Sequence, residues 1–340
     1  MDTMTRVIAM TDHFRFPPAG PNRDDGYKEW HHFCIMGREV QAILNFNLSY
    51  QRESPETPLA RVVLLVRDHA WDGDVDTVLA RDVIVRRGQI DARFGHNHIR
   101  FQNGVFDLSV ALENRPVALT LHLEPITSPL LRSSTPIGEG KISWLVVPRL
   151  AASGTITTGE RVYRLDQAPA YHDHNWGAWR WGQDFAWQWG FALPDRTDMP
   201  WSVVFDQVTD RARNRIMELR LAVWNGPLIQ RLFMHDEIQM RPQGYYAAPA
   251  RLPKFPRIMA LVMPEATTDV PHRLEVSARS RGDHLDFCFE ATDVAQIAVP
   301  NETDLKTTVI NEVSGRLEME GKIKGEPVAM CGRGFFEFLT

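Results

Sequence analysis

The sequence predicts an all-β protein. Three observations predict it: apolar and polar side chains alternate at period 2 over most of the chain, turn residues divide the alternating runs at short intervals, and helical periodicity is hard to find. Phe106, Leu108, Val110 and Leu112 share one face of an extended segment. Val117, Leu119, Leu121 and Leu123 share a face of the next, and Glu113-Asn114-Arg115-Pro116 turns between them, so the two form a hairpin. Met217, Leu219, Leu221 and Val223 alternate with Glu218 and Arg220, and Leu285, Phe287 and Phe289 alternate with Asp286 and Glu290. With 340 residues the chain exceeds the usual single core, which predicts two domains or one large β domain.

Proline punctuates two stretches, one with Pro125, Pro129 and Pro136, the other with Pro242, Pro249, Pro253 and Pro256. Proline removes a ladder donor, so neither reads as a central strand. The first reads as the exit from an N-terminal sheet and the second as a long loop, a lid or rim. Residues 1–25 lack periodicity and read as a packed arm.

Composition narrows the function. Apolar residues make up 44% and charged residues 24% of the chain, ordinary values for a protein with a core. A net charge of −5 does not favour nucleic acid or an anionic membrane surface. Val7-Ile8-Ala9-Met10 is too short for a secretory signal, and runs such as Val62–Val66 and Ile258–Met263 fall far short of a membrane span. A soluble cytoplasmic protein without an integral membrane segment is the expectation. Cys34, Cys288 and Cys331 lack metal-ligand spacing and read as reduced, mostly buried thiols.

Functional side chains are densest in Tyr171-His172-Asp173-His174-Asn175-Trp176-Gly177. On an extended chain His172, His174 and Trp176 point one way, and Tyr171, Asp173 and Asn175 the other. A bulge near Pro169 or Gly177 would bring both sets toward one pocket. Tryptophan is concentrated from there on, at Trp176, Trp179, Trp181, Trp187, Trp189 and Trp201, with Phe185, Trp187, Trp189 and Phe191 sharing a face. These rings are either the core of a β-barrel or the wall of an apolar pocket. In a pocket, each face under a desolvated cation contributes roughly 0.5–2 kcal/mol.

His96-Asn97-His98 repeats the His-x-His spacing of His172 and His174. Neither pair is followed by the Glu that a cupin-type metal site normally supplies, so no metal is expected. His31-His32 reads as strand decoration. Asp206, within Val203-Val204-Phe205-Asp206, faces either solvent or a pocket. No nucleophile elbow or phosphate-binding glycine loop is present, which leaves hydride and phosphoryl transfer unsupported.

Trp144–Leu150, then Ala152-Ser153-Gly154-Thr155, then Ala170–Gly177 together resemble the middle of the carotenoid 1,2-hydratase (hydroxyneurosporene synthase) and AttH-like proteins. Gly95-His96-Asn97, Leu119–Pro125, the closing Gly332–Glu337 and, more loosely, Glu29–Phe33 extend the likeness over most of the chain. The resemblance implies two lipocalin-like (calycin-type) β-barrel domains packed side by side, assigned to residues 1–160 and 161–340. It also implies a cofactor-independent enzyme acting on an apolar, isoprenoid or polyene-type small molecule. In the carotenoid hydratases a His and a Trp two residues later are implicated in catalysis, which corresponds to His174 and Trp176. A Tyr and an Asp further on are implicated too. Asp206 is the match for the Asp, while Phe205 stands where the Tyr would be.

The expected chemistry is acid-initiated hydration or cyclisation, with Asp173 or protonated His174 giving a proton to a double bond. Trp176 and Asp206 complete the catalytic set. Tyr171, His172, Asn175, Trp179, Trp181, Trp187, Trp189 and Trp201 line the substrate. An ionised Asp is useless as an acid at neutral pH, so burial must raise its pKa. Two alternatives stand beside this: a pericyclase that folds a polyene for cycloaddition without proton transfer, and a barrel that only binds an apolar ligand.

Overall fold

The computed structural model describes residues 2–16, 26–51, 54–196, 198–246, 252–263 and 270–339. Strand accounts for 70% of the chain and helix for 6%, so the all-β expectation holds. The chain divides into two compact units, Met1–Arg180 and Trp181–Thr340.

The first unit carries α1 (Thr3–Thr11) and twelve strands: β1 (Tyr27–Met36), β2 (Gln41–Gln51), β3 (Ser54–Arg67), β4 (Trp71–Val78), β5 (Val83–Val85), β6 (Asp91–Phe94), β7 (Asn97–Gln102), β8 (Val105–Ala111), β9 (Val117–Pro125), β10 (Leu130–Ile137), β11 (Gly140–Thr158) and β12 (Arg161–Ala178). They form one antiparallel sheet in the order β4-β3-β2-β1-β12-β11-β9-β8-β7-β6-β5, with β10 on β11. The sheet curls until edge strand β4 meets the β8–β9 turn. There Glu113 N donates to Asp76 Oδ2 (2.7 Å) and Arg115 Nη2 to Asp72 Oδ1 (2.6 Å).

The expected hairpin is present, with Phe106 opposite Leu123, Leu108 opposite Leu121 and Val110 opposite Leu119. Their inward faces join Phe33, Leu44, Phe46, Leu64 and Leu145 in the core. A boundary at residue 160 would fall in the turn of the long β11–β12 hairpin. Since β12 pairs with both β11 and β1, the division instead follows Arg180. For the same reason the first proline stretch is not an exit: it precedes two strands at the middle of this sheet, and Pro136 lies in β10, which pairs only with β11.

The second unit contains β13 (Ala186–Pro194), β14 (Trp201–Thr209), β15 (Ile216–Asn225), β16 (Leu228–Met234), β17 (Ile238–Tyr245), β18 (Lys254–Phe255), α2 (Met259–Val262), β19 (Pro271–Ser280), β20 (Asp283–Pro300), β21 (Thr307–Ile323) and β22 (Glu326–Leu339). Their order is β16-β15-β14-β13-β22-β21-β20-β19-β17, with β18 on β20. Leu219, Leu221, Phe287, Phe289, Phe336 and Phe338 supply its core. Pro242 lies in β17, the terminal strand of the sheet, opposite Leu274 of β19, and Pro249 lies outside the described residues.

The N-terminal arm contains a helix that alternation could not reveal. Asp2 caps α1 by accepting from Thr5 N (2.9 Å), and Thr5 and Ile8 are buried. Val7 and Met10 are exposed, so apolar residues occupy both faces and blur the helical period. No helix among the described residues is long and apolar enough to cross a membrane. The thiols differ from the expectation: Cys34 is buried, Cys288 half-buried and Cys331 exposed.

Candidate functional site

Strand register builds the site. In the β1–β12 pair Glu29 lies opposite Trp176, His31 opposite His174, and Phe33 opposite His172. Cross-strand partners point to the same face, so these six side chains line one side of the sheet, the interior of the first barrel. The intervening positions pair Trp30 with Asn175, His32 with Asp173 and Cys34 with Tyr171 on the other side. Register breaks flank Pro169 in the β11–β12 pair, at Pro148-Arg149 and at Asp166-Gln167, but none interrupts residues 170–178 against β1, so the bulge near Pro169 does not merge the two faces and they stay apart. Gly177 has a backbone reason instead: its φ is 156°, and a Cβ there would lie 2.1 Å from Lys141 O.

Inside the barrel, the segment after α1 brings Asp12 between two histidines. His172 Nε2 lies 2.8 Å from Asp12 Oδ2, and His174 Nδ1 lies 3.0 Å from Asp12 Oδ1. The other ring nitrogen of His174 is 2.9 Å from Glu29 Oε1, and that of His172 donates to His32 O (2.8 Å). His31 stacks on His174 with ring centroids 3.8 Å apart, and Phe14 packs on His31 at 4.3 Å. Asp12, Phe14, Glu29, His31, His172 and His174 are all fully buried. Trp176, half-buried, lies 4.8 Å from the His174 ring and 3.8 Å from the Arg15 guanidinium. Arg15 N donates to Glu29 Oε1 (2.6 Å).

Burial and hydrogen bonding set the charges. Burial alone would lower the His174 pKa, but bonds to Asp12 and Glu29 outweigh it and the pKa rises, which favours the imidazolium form between the two carboxyl groups. Burial alone would raise the Asp12 pKa, but the neighbouring histidines hold it far below the usual carboxylate range. His31 moves the opposite way: burial first, then the charge on His174, drive its pKa well below the usual value and leave it neutral.

Asp12, His31 and His174 each offer a ligand atom, all within 4.8 Å of one another. Their geometry suits an ion poorly. The two imidazoles are stacked 3.8 Å apart and 19° from parallel, so an ion ~2 Å from one ring nitrogen in that ring's plane would lie well out of the plane of the other ring. Nor do the two His-x-His pairs assemble, since His96 is exposed and bonded to Ala111 O (2.7 Å).

Asp173 is separated from this cluster by the sheet. It accepts from Tyr171 Oη (3.0 Å) and Asn175 Nδ2 (2.6 Å), so it is placed as an acceptor rather than beside His174. On the same side His32 contacts Asn45 Oδ1 and Cys34 Sγ, each at 2.9 Å. Burial holds the His32 pKa at about 4. Trp179 closes this side, edge-on to Trp30.

The six clustered tryptophans do not form one wall within either unit. Trp176 and Trp179 belong to the first unit, on opposite sides of its sheet; the other four belong to the second. There Trp181, Phe185 and Trp187 pack together, and Trp189 packs on Phe191, on one side of β13. Trp201 lies in the second core with Val203 and Phe205. Asp206 pairs opposite Trp189 and is buried, not solvent-facing.

Sequence reading missed Asp12, Glu29 and His31, and also Glu337, which pairs across strands with both Trp189 and Glu312. Burial pushes the Glu337 carboxyl up to about 7, and Trp187 Nε1 donates to it. The signal for Glu29 and His31 was present, since Glu29-Trp30-His31-His32-Phe33 alternates like the strand it faces. Nothing local marked Asp12, which acts through a contact 160 residues along the chain.

No protein-family model matches the chain, and no curated protein does. Solved structures do match in fold. An AttH-type protein of Nitrosomonas europaea superposes with a TM-score of 0.64 at 14% identity, covering 95% of this chain and 98% of that one. Kievitone hydratase of Nectria haematococca gives 0.59 at 13% identity, covering 98% and 94%. CghA, in its structure with Sch210972, gives 0.59 at 9% identity, covering 95% and 94%. The chain therefore has the AttH-type fold along nearly its whole length, as two barrel-like antiparallel sheets.

Proposed function

We propose that the protein is a cofactor-independent enzyme that protonates an apolar alkene or polyene of isoprenoid type and completes a hydration or cyclisation. The observation that carries this reading is His174, a buried imidazole whose two ring nitrogens bridge Asp12 and Glu29 beside Trp176. The donor is then the His174–Glu29 pair rather than Asp173. Resemblance of the His174-Asn175-Trp176 segment to the carotenoid 1,2-hydratases supports it, as does a structural neighbour named as a hydratase.

The proton between His174 Nε2 and Glu29 Oε1 moves to one alkene carbon, leaving its bonding pair behind. The other carbon becomes cationic against Trp176, which stands at the partly exposed end of the cluster. A water oxygen closes on the cation and returns a proton to the pair; in a cyclisation an internal alkene or hydroxyl takes the place of water. Asp12 keeps His174 charged and oriented.

The test is turnover of prenyl-bearing and polyene alkenes in D₂O, read by mass spectrometry. The expected product carries one deuterium on carbon. His174→Gln lowers turnover by about 10²–10⁴-fold, the usual worth of a positioned proton donor, whereas Asp173→Asn retains most of it. An isomeric product without deuterium, formed at full rate by His174→Gln, would favour the folding-template reading. Tight binding with no conversion would favour a binding protein.

A further inference from the structure

The buried cluster continues in one direction beyond Glu29. Tyr27 Oη lies 3.4 Å from Glu29 Oε2, the carboxylate oxygen not used by His174. Strand geometry puts Tyr27 on the same face as Glu29 and His31, two residues nearer the start of β1. Exposure rises along that line: His174 and Glu29 are fully buried, Tyr27 only partly. Among the described residues, the other polar neighbours are committed elsewhere. Asp12 is enclosed by His172 and His174, and Arg15, facing Glu29 from the segment after α1, donates its backbone N–H and is always charged. His13, from the same segment, bonds Met10 O. His31 carries ring nitrogens without hydrogen-bond partners, but it is sealed under Phe14.

We propose that Tyr27 is the proton port of the buried His174–Glu29 pair, passing protons between solvent and Glu29. In the inward direction a water proton bonds to Tyr27 Oη as the existing Oη–H breaks toward Glu29 Oε2. Once His174 Nε2 has given up its own proton, the carboxyl turns and delivers this one to it, and the bonding pairs of the broken O–H bonds stay on the oxygens. Burial and the charge of Glu29 raise the Tyr27 pKa, so the phenol keeps its proton and acts as a relay. Phe16 packs edge-on against the Tyr27 ring (5.7 Å) and holds the hydroxyl in line.

This inference rests on the reading of His174 as the stored acid, and its test needs no substrate. The full-length protein, labelled with ¹⁵N-histidine, is transferred to D₂O, and exchange of the His174 Nε2–H is followed by NMR. Tyr27→Phe keeps the ring and removes the hydroxyl. It is expected to slow exchange by about tenfold or more while the His174 nitrogen shifts and the melting temperature stay unchanged. Glu29→Gln removes the acceptor and is expected to remove the dependence on Tyr27 in the double variant. Unchanged exchange in Tyr27→Phe overturns the port and leaves the acid in place. A neutral His174 in the unmodified protein overturns both.

Discussion

His31 of β1 and His174 of β12 lie directly opposite each other in register, their rings 3.8 Å apart and 19° from parallel, yet their pKa values move in opposite directions. His174 is bonded to Asp12 and Glu29, which raise its pKa and favour its second proton. The nearest contact of His31 with a carboxylate is 3.9 Å, to Asp12 Oδ1, and it remains neutral. Two identical side chains in van der Waals contact are thus divided by their hydrogen bonds. A neutral ring against an imidazolium also avoids like-charge repulsion at that spacing.

Asp12 is the member whose loss matters most to the fold. Removing one partner of a buried ion pair leaves a charge without compensation, at a cost of about 3–5 kcal/mol. Asp12→Ala is expected to lower unfolding free energy by that amount in urea titration, and to release α1 to proteolysis before the strands. Asp12→Asn keeps the shape and is expected to cost less.

Stability is expected to depend on pH with two opposite signs. The His174 pKa is raised on folding, so its contribution is complete below about 6.5 and lost as pH rises through the higher folded value. The His32 pKa falls to about 4, so its contribution is complete above about 6.5 and lost as pH falls toward 4. That span corresponds to roughly 3 kcal/mol. Chemical unfolding across pH 4–9 checks both: His174→Gln should flatten the alkaline side, and His32→Gln the acid side.

Glu337 is expected to destabilise the second unit at alkaline pH. Its folded pKa, about 7, lies above the ordinary 4.5, so stability falls as pH rises from about 4.5 through 7 and stays at the lower level beyond. Glu337→Gln should therefore raise stability at pH 8 and change it little at pH 4. An equal shift at both pH values would assign the effect to packing.

Gly177 should tolerate no side chain. Its φ of 156° and the 2.1 Å approach to Lys141 O leave no room for a Cβ between β12 and β11. Gly177→Ala is expected to destabilise by more than about 1 kcal/mol, measured by thermal unfolding. A neutral substitution would mean that the strand can slide at this point.

The sequence by itself determined the class of fold and the two faces of the central motif. Alternation is a local property: Phe106–Leu112, Val117–Leu123 and Tyr171–Trp176 each carry it within one strand, and a period of 2 assigns faces without knowledge of partners. It also located His172, His174 and Trp176 on one side. Tertiary structure decided what they meet. Asp12 reaches His172 from 160 residues away through a helix whose apolar residues lie on both faces, so no local pattern announces it. The β1–β12 register, set by strands far apart in sequence, placed Glu29 and His31 beside His174 and left Asp173 behind the sheet. Protonation followed from those contacts, because the pKa of a buried group is fixed by its neighbours in space rather than along the chain.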